Sequence, residues 1–158
     1  MATAGEVERI AVVSDEDRRI LRSRERPIVV LAKRDPASHA GISNLHTIGC
    51  MLPYTGLHHL LFAHLAHPLL IMTSANLPGY PMITDLEIAL GRLSSEVDYI
   101  LTHDRRIVNR CDDSVVRDGY IIRLSRGLAP KRAAIDLGDA CILGVGPELN
   151  ANISIYQK

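Results

Sequence analysis

Short apolar runs, each closed by polar turn residues, recur along the chain and predict an alternation of strands and helices. The run over residues 28–32 follows Pro27, is continuous and is rich in β-branched side chains, so it predicts a buried strand. Two further apolar runs, residues 69–73 and 99–101, predict strands on the same grounds. Residues 36–44 carry proline, glycine and serine and are typical of a loop.

Polar caps in front of apolar residues predict helices. Ser14 with Asp17 three residues later forms a capping-box signature, which opens a helix that runs to about Arg22. Thr55 predicts the start of a second helix, which runs to about residue 65 and ends before Pro68.

A third helix is predicted where Thr84 and Glu87 repeat the capping-box signature. Apolar side chains then recur at helical spacing, which predicts that one face of this helix is buried. The residues of that face are Leu86, Ala89, Leu90, Leu93 and Val97.

Two hairpins are predicted in the C-terminal part of the chain. An Asp-Gly pair separates the apolar segments 114–116 and 120–122, and this is the strongest hairpin signal in the sequence. A second, glycine-turned hairpin joins residues 141–146 to 151–155, and two strands alone are too small to form a domain. Together the elements predict an α/β fold with a twisted mixed sheet and flanking helices.

Composition narrows the class of protein. The 158 residues suffice for one domain and part of a second, and 47% hydrophobic with 23% charged residues is typical of a globular protein. The 18 basic and 18 acidic residues balance, so no global charge favours nucleic acid or an anionic membrane. The three cysteines form no CxxC pair, and neither a signal peptide nor a membrane span is visible, which predicts a cytoplasmic location.

The polar turn over residues 73–79 is the first candidate binding site. It follows an apolar run, and Ser74, Asn76 and backbone N–H groups all suit an anion or a nucleotide. The same residue types are ordinary turn formers, and Gly79 is explained equally well by a positive φ. The residues by themselves leave both explanations open.

A second candidate lies at residues 51–55, where the hydroxyls of Tyr54 and Thr55 stand at a predicted helix N-terminus that attracts anions. Taken alone, a plain helix cap beside a packed tyrosine is the favoured explanation. Histidines crowd the following helix, but their spacing and the lack of a completing carboxylate argue against a metal site. These histidines are His58, His59, His64 and His67.

The polar segment 102–114 is the third candidate. Arg105 and Arg110 suit phosphate groups, and Asp112 or Asp113 suits a magnesium ion or the orientation of an arginine. A solvated loop whose charges pair with one another explains the segment equally well.

Several of these segments agree in residue type, order and spacing with one known family. They are Met51-Leu52-Pro53-Tyr54-Thr55, Leu57-His58-His59-Leu60-Leu61, Thr73-Ser74-Ala75-Asn76-Leu77, Leu101-Thr102-His103-Asp104-Arg105 and Asp112-Asp113-Ser114-Val115-Val116, with Arg123, Arg126, Gly127 and Pro130. They closely resemble the YrdC-like domain of the HypF family of hydrogenase-maturation carbamoyltransferases. The broader YrdC/TsaC group, which makes threonylcarbamoyl-adenylate, shares the Ser74–Asn76 turn and the Ser114-Val115 element but is not known for the Leu-Pro-Tyr-Thr or His-Asp-Arg elements in this form.

The resemblance implies a YrdC/RibB-like fold, truncated at its N-terminal side, and a division of the chain into three parts. Residues 1–130 correspond to a partial YrdC-like nucleotide-binding domain, 131–140 to a linker, and 141–158 to the first hairpin of an actin-like domain. The family carries a Lys-x-Arg element upstream of the point where this sequence starts. We therefore expect a fragment that is inactive alone.

The resemblance also implies an activity and its ligands. In the HypF family this domain forms carbamoyl-adenylate from ATP and carbamate, which is released from carbamoyl phosphate, and the carbamoyl group then passes to a HypE-type acceptor during NiFe hydrogenase maturation. ATP with Mg, near Asp112 and Asp113, is the implied cofactor. The residues implied to bind nucleotide or carbamate are Tyr54, Thr55, Thr73, Ser74, Asn76, Arg105, Asp112, Ser114, Arg123 and Arg126.

Two other functions compete with this one. A noncatalytic RNA-binding or partner-binding YrdC-like module needs a concave basic face, which would be lined by Arg105, Arg110, Arg123, Arg126, Lys131 and Arg132. The balanced charge, the single Phe and the lack of Trp make base stacking poorly supported. A standalone threonylcarbamoyl-adenylate synthase is disfavoured by the upstream element that the sequence lacks. Exposed sheet edges also favour a homodimer.

Overall fold

The structure is a computed structural model that describes residues 1–146 and 153–157. Its regular structure consists of four helices and six strands. The helices are α1 (Ala4–Ile10), α2 (Asp15–Arg22), α3 (Gly56–His64) and α4 (Leu86–Leu93). The strands are β1 (Ile28–Ala32), β2 (Thr47–Cys50), β3 (Val115–Arg117), β4 (Tyr120–Arg123), β5 (Cys141–Val145) and β6 (Ile153–Gln157).

The first four strands form one mixed sheet with the order β2-β1-β3-β4. β1 pairs antiparallel with β2, where Val29 lies opposite Cys50, and parallel with β3, where Ile28 lies opposite Val115. β3 and β4 pair antiparallel across the Asp-Gly turn. The predicted mixed sheet and its first hairpin are therefore confirmed. The segment that carries α3 and α4 lies between β1 and β3 in the sequence, so it belongs to the connection between these two parallel strands.

The predicted second hairpin is also present. β5 and β6 pair antiparallel as a separate two-stranded sheet. The Tyr156 hydroxyl accepts a hydrogen bond from the Leu137 amide and donates one to the Gly138 carbonyl, each at 3.0 Å, so β6 is tied to the segment before β5. The predicted turn falls on residues 147–152, which lie outside the described part of the chain.

The hydrophobic core is built from α1, α2, β1 and β2. Val7 of α1, Leu21 of α2 and Val29 of β1 are fully buried. Burial of side chains of this size stabilises the fold by roughly 1.5–3 kcal/mol each. The whole cluster is Ala4, Val7, Ala11, Leu21, Val29, Leu31, Ile48, Cys50 and Leu52.

Neither α1 nor β2 was expected from the sequence, and both are short. Thr3 caps α1 by accepting a hydrogen bond from the Glu6 amide at 3.3 Å. β2 alternates its buried residues Ile48 and Cys50 with less buried neighbours. The Thr3 cap of α1 and the alternating pattern of β2 each span too few residues to be distinguished from ordinary polar sequence.

Two of the three predicted helix caps are confirmed. Ser14 and Asp17 form a reciprocal capping box at α2, with the side chain of each accepting from the backbone amide of the other at 3.1 Å. Thr55 caps α3 by accepting from the His58 amide at 3.1 Å.

The third predicted cap is wrong by one residue, since Asp85 rather than Thr84 accepts from the Ile88 amide, at 3.1 Å. The predicted burial of the apolar face of α4 is also wrong, because no residue of this helix is buried. Val97 lies beyond its end at Leu93. An apolar stripe marks a face that is able to pack, and burial further requires a second surface against it.

The strands predicted at residues 69–73 and 99–101 are wrong. Neither segment has regular structure, and Ile71 and Tyr99 are 73% and 93% exposed. A strand requires a partner that takes its backbone hydrogen bonds. β1 and β3 already have partners on both sides, and neither segment pairs with β2 or β4, the two edges of the described sheet.

No helix within residues 1–146 or 153–157 is long and apolar enough to cross a membrane.

Candidate functional site

The guanidinium of Arg126 is the centre of the best-connected polar cluster. Its Nε donates to Asp113 Oδ1 at 2.7 Å, and its two Nη atoms donate to the carbonyls of Glu25 at 3.0 Å and Arg26 at 2.8 Å. These bonds use three of the five N–H groups that an arginine offers. The side chain, which is 21% exposed, therefore joins the segment between α2 and β1, the segment before β3 and the segment after β4.

Two aromatic rings extend this cluster. The guanidinium carbon of Arg126 lies 3.5 Å from the centroid of the Tyr54 ring, a close cation–π contact. Tyr54 in turn meets the His58 ring edge to face, with centroids 4.6 Å apart. His58 lies on the first turn of α3, so the cap of that helix and the arginine cluster form one unit.

Ser114 is fully buried beneath the same cluster. Its hydroxyl accepts from the Ser125 amide at 2.8 Å and donates to the Arg126 carbonyl at 2.9 Å. The Arg126 amide donates to the Asp112 carbonyl at 3.1 Å. The hydroxyl of Ser114 thus holds the two segments that carry Asp113 and Arg126 side by side, and in this conformation both of its hydrogen bonds are internal.

The electrostatics of the cluster keep its aromatic groups neutral. Burial, followed by the nearby Asp113 carboxylate, raises the pKa of the Tyr54 phenol. Burial lowers the pKa of the His58 imidazole. Near neutral pH the cluster therefore presents a neutral phenol and a neutral imidazole beside one Arg–Asp ion pair.

The turn over residues 73–79 forms a second polar group. The Ser74 hydroxyl donates to the side-chain oxygen of Asn76. The Asn76 side-chain nitrogen donates to the carbonyls of Leu77 at 3.2 Å and Tyr80 at 3.1 Å. Gly79 has φ +78°, which favours glycine, so the turn needs this residue at that position. The side chains of Thr73 and Ser74 are exposed and face solvent.

The structure brings together only some of the residues predicted to bind nucleotide. Tyr54, Ser114, Arg126 and the backbone of Asp112 lie in one cluster, with Thr55 at the adjoining helix cap. The 73–76 turn makes its hydrogen bonds locally and with residues up to 83.

Arg105 and Arg123 belong to neither group. Both are exposed, Arg105 in an irregular segment and Arg123 at the end of β4. Their proposed contact with phosphate stays a prediction.

Sequence reasoning missed the backbone part of the cluster. The carbonyls of Glu25 and Arg26 anchor the guanidinium, and no residue type signals a carbonyl acceptor in advance. Arg26 has φ +47°, an uncommon conformation for this residue, and it turns the chain into β1. From the sequence, His58 is weighed as a metal ligand and that role is argued against, and the packing of its ring against Tyr54 is not predicted.

The described residues contain no group of three or more His, Cys, Asp or Glu side chains that could hold a metal ion. Asp113 is already paired with Arg126. The predicted magnesium near Asp112 and Asp113 would therefore depend on phosphate oxygens for most of its ligands.

Comparison with known protein families matches most of the chain. A family model described as telomere recombination, the Sua5/YciO/YrdC model, matches residues 1–125. The probable carbamoyltransferase HypF of Methanocaldococcus jannaschii is 45% identical over 160 residues, which cover 96% of this chain and 20% of that protein. Carbamoyltransferase HypF2 of Cupriavidus necator is 38% identical over 161 residues, which cover 87% of this chain and 20% of that protein. The chain thus spans about a fifth of the length of these relatives.

Solved structures match the fold as well. A crystal structure of T. kodakarensis HypF superposes with a TM-score of 0.75 at 45% identity, covering 82% of this chain and 18% of that one. A crystal structure of full-length HypF in the phosphate- and nucleotide-bound form gives a TM-score of 0.72 at 40% identity, covering 83% of this chain and 21% of that one.

Proposed function

We propose a function for this chain on the premise that it belongs to the Sua5/YciO/YrdC family and is homologous to part of the HypF carbamoyltransferases. The proposed function is that of the nucleotide-binding part of an ATP-dependent carbamoyltransferase, which forms carbamoyl-adenylate from carbamate and ATP. The observation that carries this proposal is 45% identity to a probable carbamoyltransferase HypF over 96% of the chain.

The proposed reaction needs no nucleophile from the protein. A carbamate oxygen attacks the α-phosphorus of ATP, and the bond to the bridging oxygen breaks, so that pyrophosphate leaves with the electron pair. Negative charge grows on the leaving oxygens, and the protein's task is to position the reactants and to stabilise that charge with cations and N–H donors.

The exposed 73–76 turn is the proposed contact for carbamate and nucleotide. Thr73 and Ser74 offer hydroxyls, and Asn76 orients the turn through its own hydrogen bonds. Arg105, which is exposed, is the proposed counter-charge for the phosphates, together with Arg123.

The Arg126 cluster is proposed to contact the nucleotide together with the 73–76 turn. Arg126 retains two N–H groups beyond its three internal hydrogen bonds, and these are its proposed donors to phosphate. The role proposed for Tyr54, Thr55 and Ser114 is to hold that guanidinium and the start of α3 in place.

We propose that magnesium binds together with ATP. Asp112 supplies the carboxylate oxygen that suits this ion, since Asp113 is engaged by Arg126. The ion would neutralise phosphate charge, and no other role is assigned to it.

The partner proteins of the proposed reaction lie beyond this chain. Transfer of the carbamoyl group to a HypE-type acceptor belongs to the whole enzyme, of which the chain spans about a fifth in its relatives. For the chain itself we propose nucleotide binding with little or no turnover, in the cytoplasm.

Isothermal titration calorimetry with ATP, with and without magnesium, tests the proposal. We expect magnesium-dependent binding that Ser74→Ala and Arg105→Ala each weaken about tenfold, since hydrogen bonds to charged groups are worth roughly 1.5–3 kcal/mol. Arg132→Ala, an exposed arginine outside both groups, is the matched control and should leave affinity unchanged. Absence of ATP binding, or equal binding by all variants, would count against the proposal.

The alternative of an RNA-binding module gains little from the arginine geometry. Of the basic residues that would line such a face, Arg126 is held by three internal acceptors. An RNA gel shift with a steep salt dependence, in the absence of ATP binding, would favour that alternative.

A further inference from the structure

A cavity of about 140 Å³ is lined by Leu77 of the 73–79 turn and by two arginines. Arg92 projects from α4, and Arg110 comes from the segment before β3. Tyr80, Met82 and Thr84 line it between them. No Asp or Glu is among the described residues that line this cavity, so two positive charges share one small space without a carboxylate in its wall.

The backbone carbonyl of Met82 orients the Arg110 side chain at this cavity. Its Nε donates to the Met82 carbonyl at 2.6 Å, and this bond fixes the plane of the guanidinium. Neither of its Nη atoms has a hydrogen-bond acceptor or ion-pair partner among residues 1–146 and 153–157. Four strong donors in one plane thus remain available to a ligand.

Arg92, on α4, lines the same cavity as Arg110. Its guanidinium carbon lies 5.6 Å from the centroid of the Tyr80 ring, which supports the cation without neutralising it. Within the described chain it forms no salt bridge. Two unneutralised guanidinium groups repel each other, and an anion between them removes that repulsion.

From this geometry we propose that the Arg92–Arg110 pocket binds a phosphoryl group. The cavity exceeds the volume of several water molecules at roughly 30 Å³ each, which is ample for a tetrahedral phosphate. Two planar forks of N–H donors match phosphate oxygens, and the Thr84 hydroxyl adds one more donor. The inference rests on these side chains alone and does not depend on the proposed carbamoyltransferase function.

The pocket is mechanically connected to the neighbouring turn. Asn76 donates to the carbonyl of Tyr80 at 3.1 Å, and the Ile83 amide donates to the Ala75 carbonyl at 2.9 Å. Tyr80 and Ile83 both line the cavity. A phosphoryl group bound there would therefore order the 73–79 turn.

Titration of the full chain with inorganic phosphate, followed by the NMR signals of the arginine Nε–H groups, tests the proposal. At constant ionic strength, with chloride as the replacement anion, the signals of Arg92 and Arg110 should shift saturably and together. Arg92→Ala should weaken phosphate binding about tenfold or more, as expected for loss of a charged hydrogen-bond donor. Arg132→Ala should leave it unchanged.

Several results would overturn the proposal. They are a linear shift without saturation, binding that survives Arg92→Ala, or an acetate titration that saturates at the same concentration as phosphate. Because Arg110 also holds the Met82 carbonyl, Arg110→Ala risks a folding defect. Arg92→Ala removes a side chain whose described contact is with the Tyr80 ring, so an unchanged amide spectrum would show that this variant is folded.

Discussion

At the scale of single residues, Arg126 has the largest predicted effect on stability. Replacing it with Ala removes an ion pair to Asp113, two hydrogen bonds to carbonyls and the contact with Tyr54. We expect a loss of about 2–4 kcal/mol in the free energy of unfolding. Arg126→Lys should recover only part of it, since an ammonium cannot reach three acceptors in one plane. Urea unfolding monitored by circular dichroism measures both values.

Arg123→Ala is the matched control for that prediction. Its side chain is exposed on β4, so the change should stay within about 0.5 kcal/mol. Equal stability of Arg126→Ala and the control would mean that the cluster does not hold its three segments together.

Cys50 is predicted to be the unreactive cysteine. Burial raises the pKa of its thiol from 9.0 to about 11, whereas Cys111 and Cys141 are exposed. Iodoacetamide at about pH 8, read by mass spectrometry, should modify the two exposed thiols and spare Cys50 until the chain is unfolded. Rapid modification of Cys50 in the folded chain would contradict its burial.

The raised pKa of the Cys50 thiol also makes the stability of the fold depend on pH. The folded state favours the neutral Cys50 thiol, so this contribution is complete below about pH 9 and is lost as the pH rises toward about 11. Cys50→Ala should make the free energy of unfolding less steep over that interval. An unchanged slope would show that another group titrates there.

Residue-scale prediction from the sequence worked where the interaction is local. The caps at Ser14 and Thr55 depend on residues three positions away, and both were found. The Arg126 cluster joins residues about a hundred positions apart through backbone carbonyls, for which the sequence carries no signal. The sequence therefore predicts Arg126, Tyr54 and Ser114 as site residues and an aspartate that orients an arginine, but it does not predict the two carbonyl acceptors.

At the scale of elements, Gly127 is the position where the chain after β4 passes the connection between α2 and β1. It has φ +84°, and a Cβ there would lie 2.5 Å from the Glu25 carbonyl oxygen. Gly127→Ala should cost roughly 2–4 kcal/mol, combining left-handed backbone strain with a clash against backbone. It should also displace the neighbouring Arg126, which loss of the Tyr54 ring contact in an NMR spectrum would reveal.

Gly138 provides the comparison for this prediction. It has φ +69° but no atom within 4 Å of the added Cβ. Gly138→Ala should therefore cost only the backbone strain, about 1–2 kcal/mol. Equal losses from the two substitutions would show that the close approach to Glu25 does not matter.

Element-scale prediction succeeded for strands with strong local signals and failed for unpaired apolar runs. β1 and the Asp-Gly hairpin of β3 and β4 appear as predicted. The runs at 69–73 and 99–101 have the composition of strands, yet pairing is decided by the availability of a partner edge. That availability is a property of the whole sheet and is not encoded in either run.

At the scale of the whole molecule, β4 is an exposed sheet edge. It pairs only with β3 in the described sheet, all four of its residues are exposed, and Ile122 is 61% exposed. Unpaired backbone groups beside apolar side chains favour strand pairing with a second copy. We predict a concentration-dependent homodimer that Ile122→Lys shifts toward the monomer, measured by analytical ultracentrifugation.

Leu45→Lys is the control for the dimer prediction. Leu45 is as exposed as Ile122 but lies in a loop away from the strand edge. A chain that stays monomeric at every concentration, or a dimer weakened equally by both substitutions, would contradict pairing through β4.

In the function proposed here, the 73–76 turn and the Arg126 cluster together bind one ATP molecule. The most direct test is an amide NMR titration of the isotope-labelled chain with magnesium and ATP. We predict saturable shifts at residues 73–76 and at residues 112–114 and 126, all fitting one dissociation constant. Shifts confined to one of the two groups, or separate dissociation constants for each, would contradict the claim.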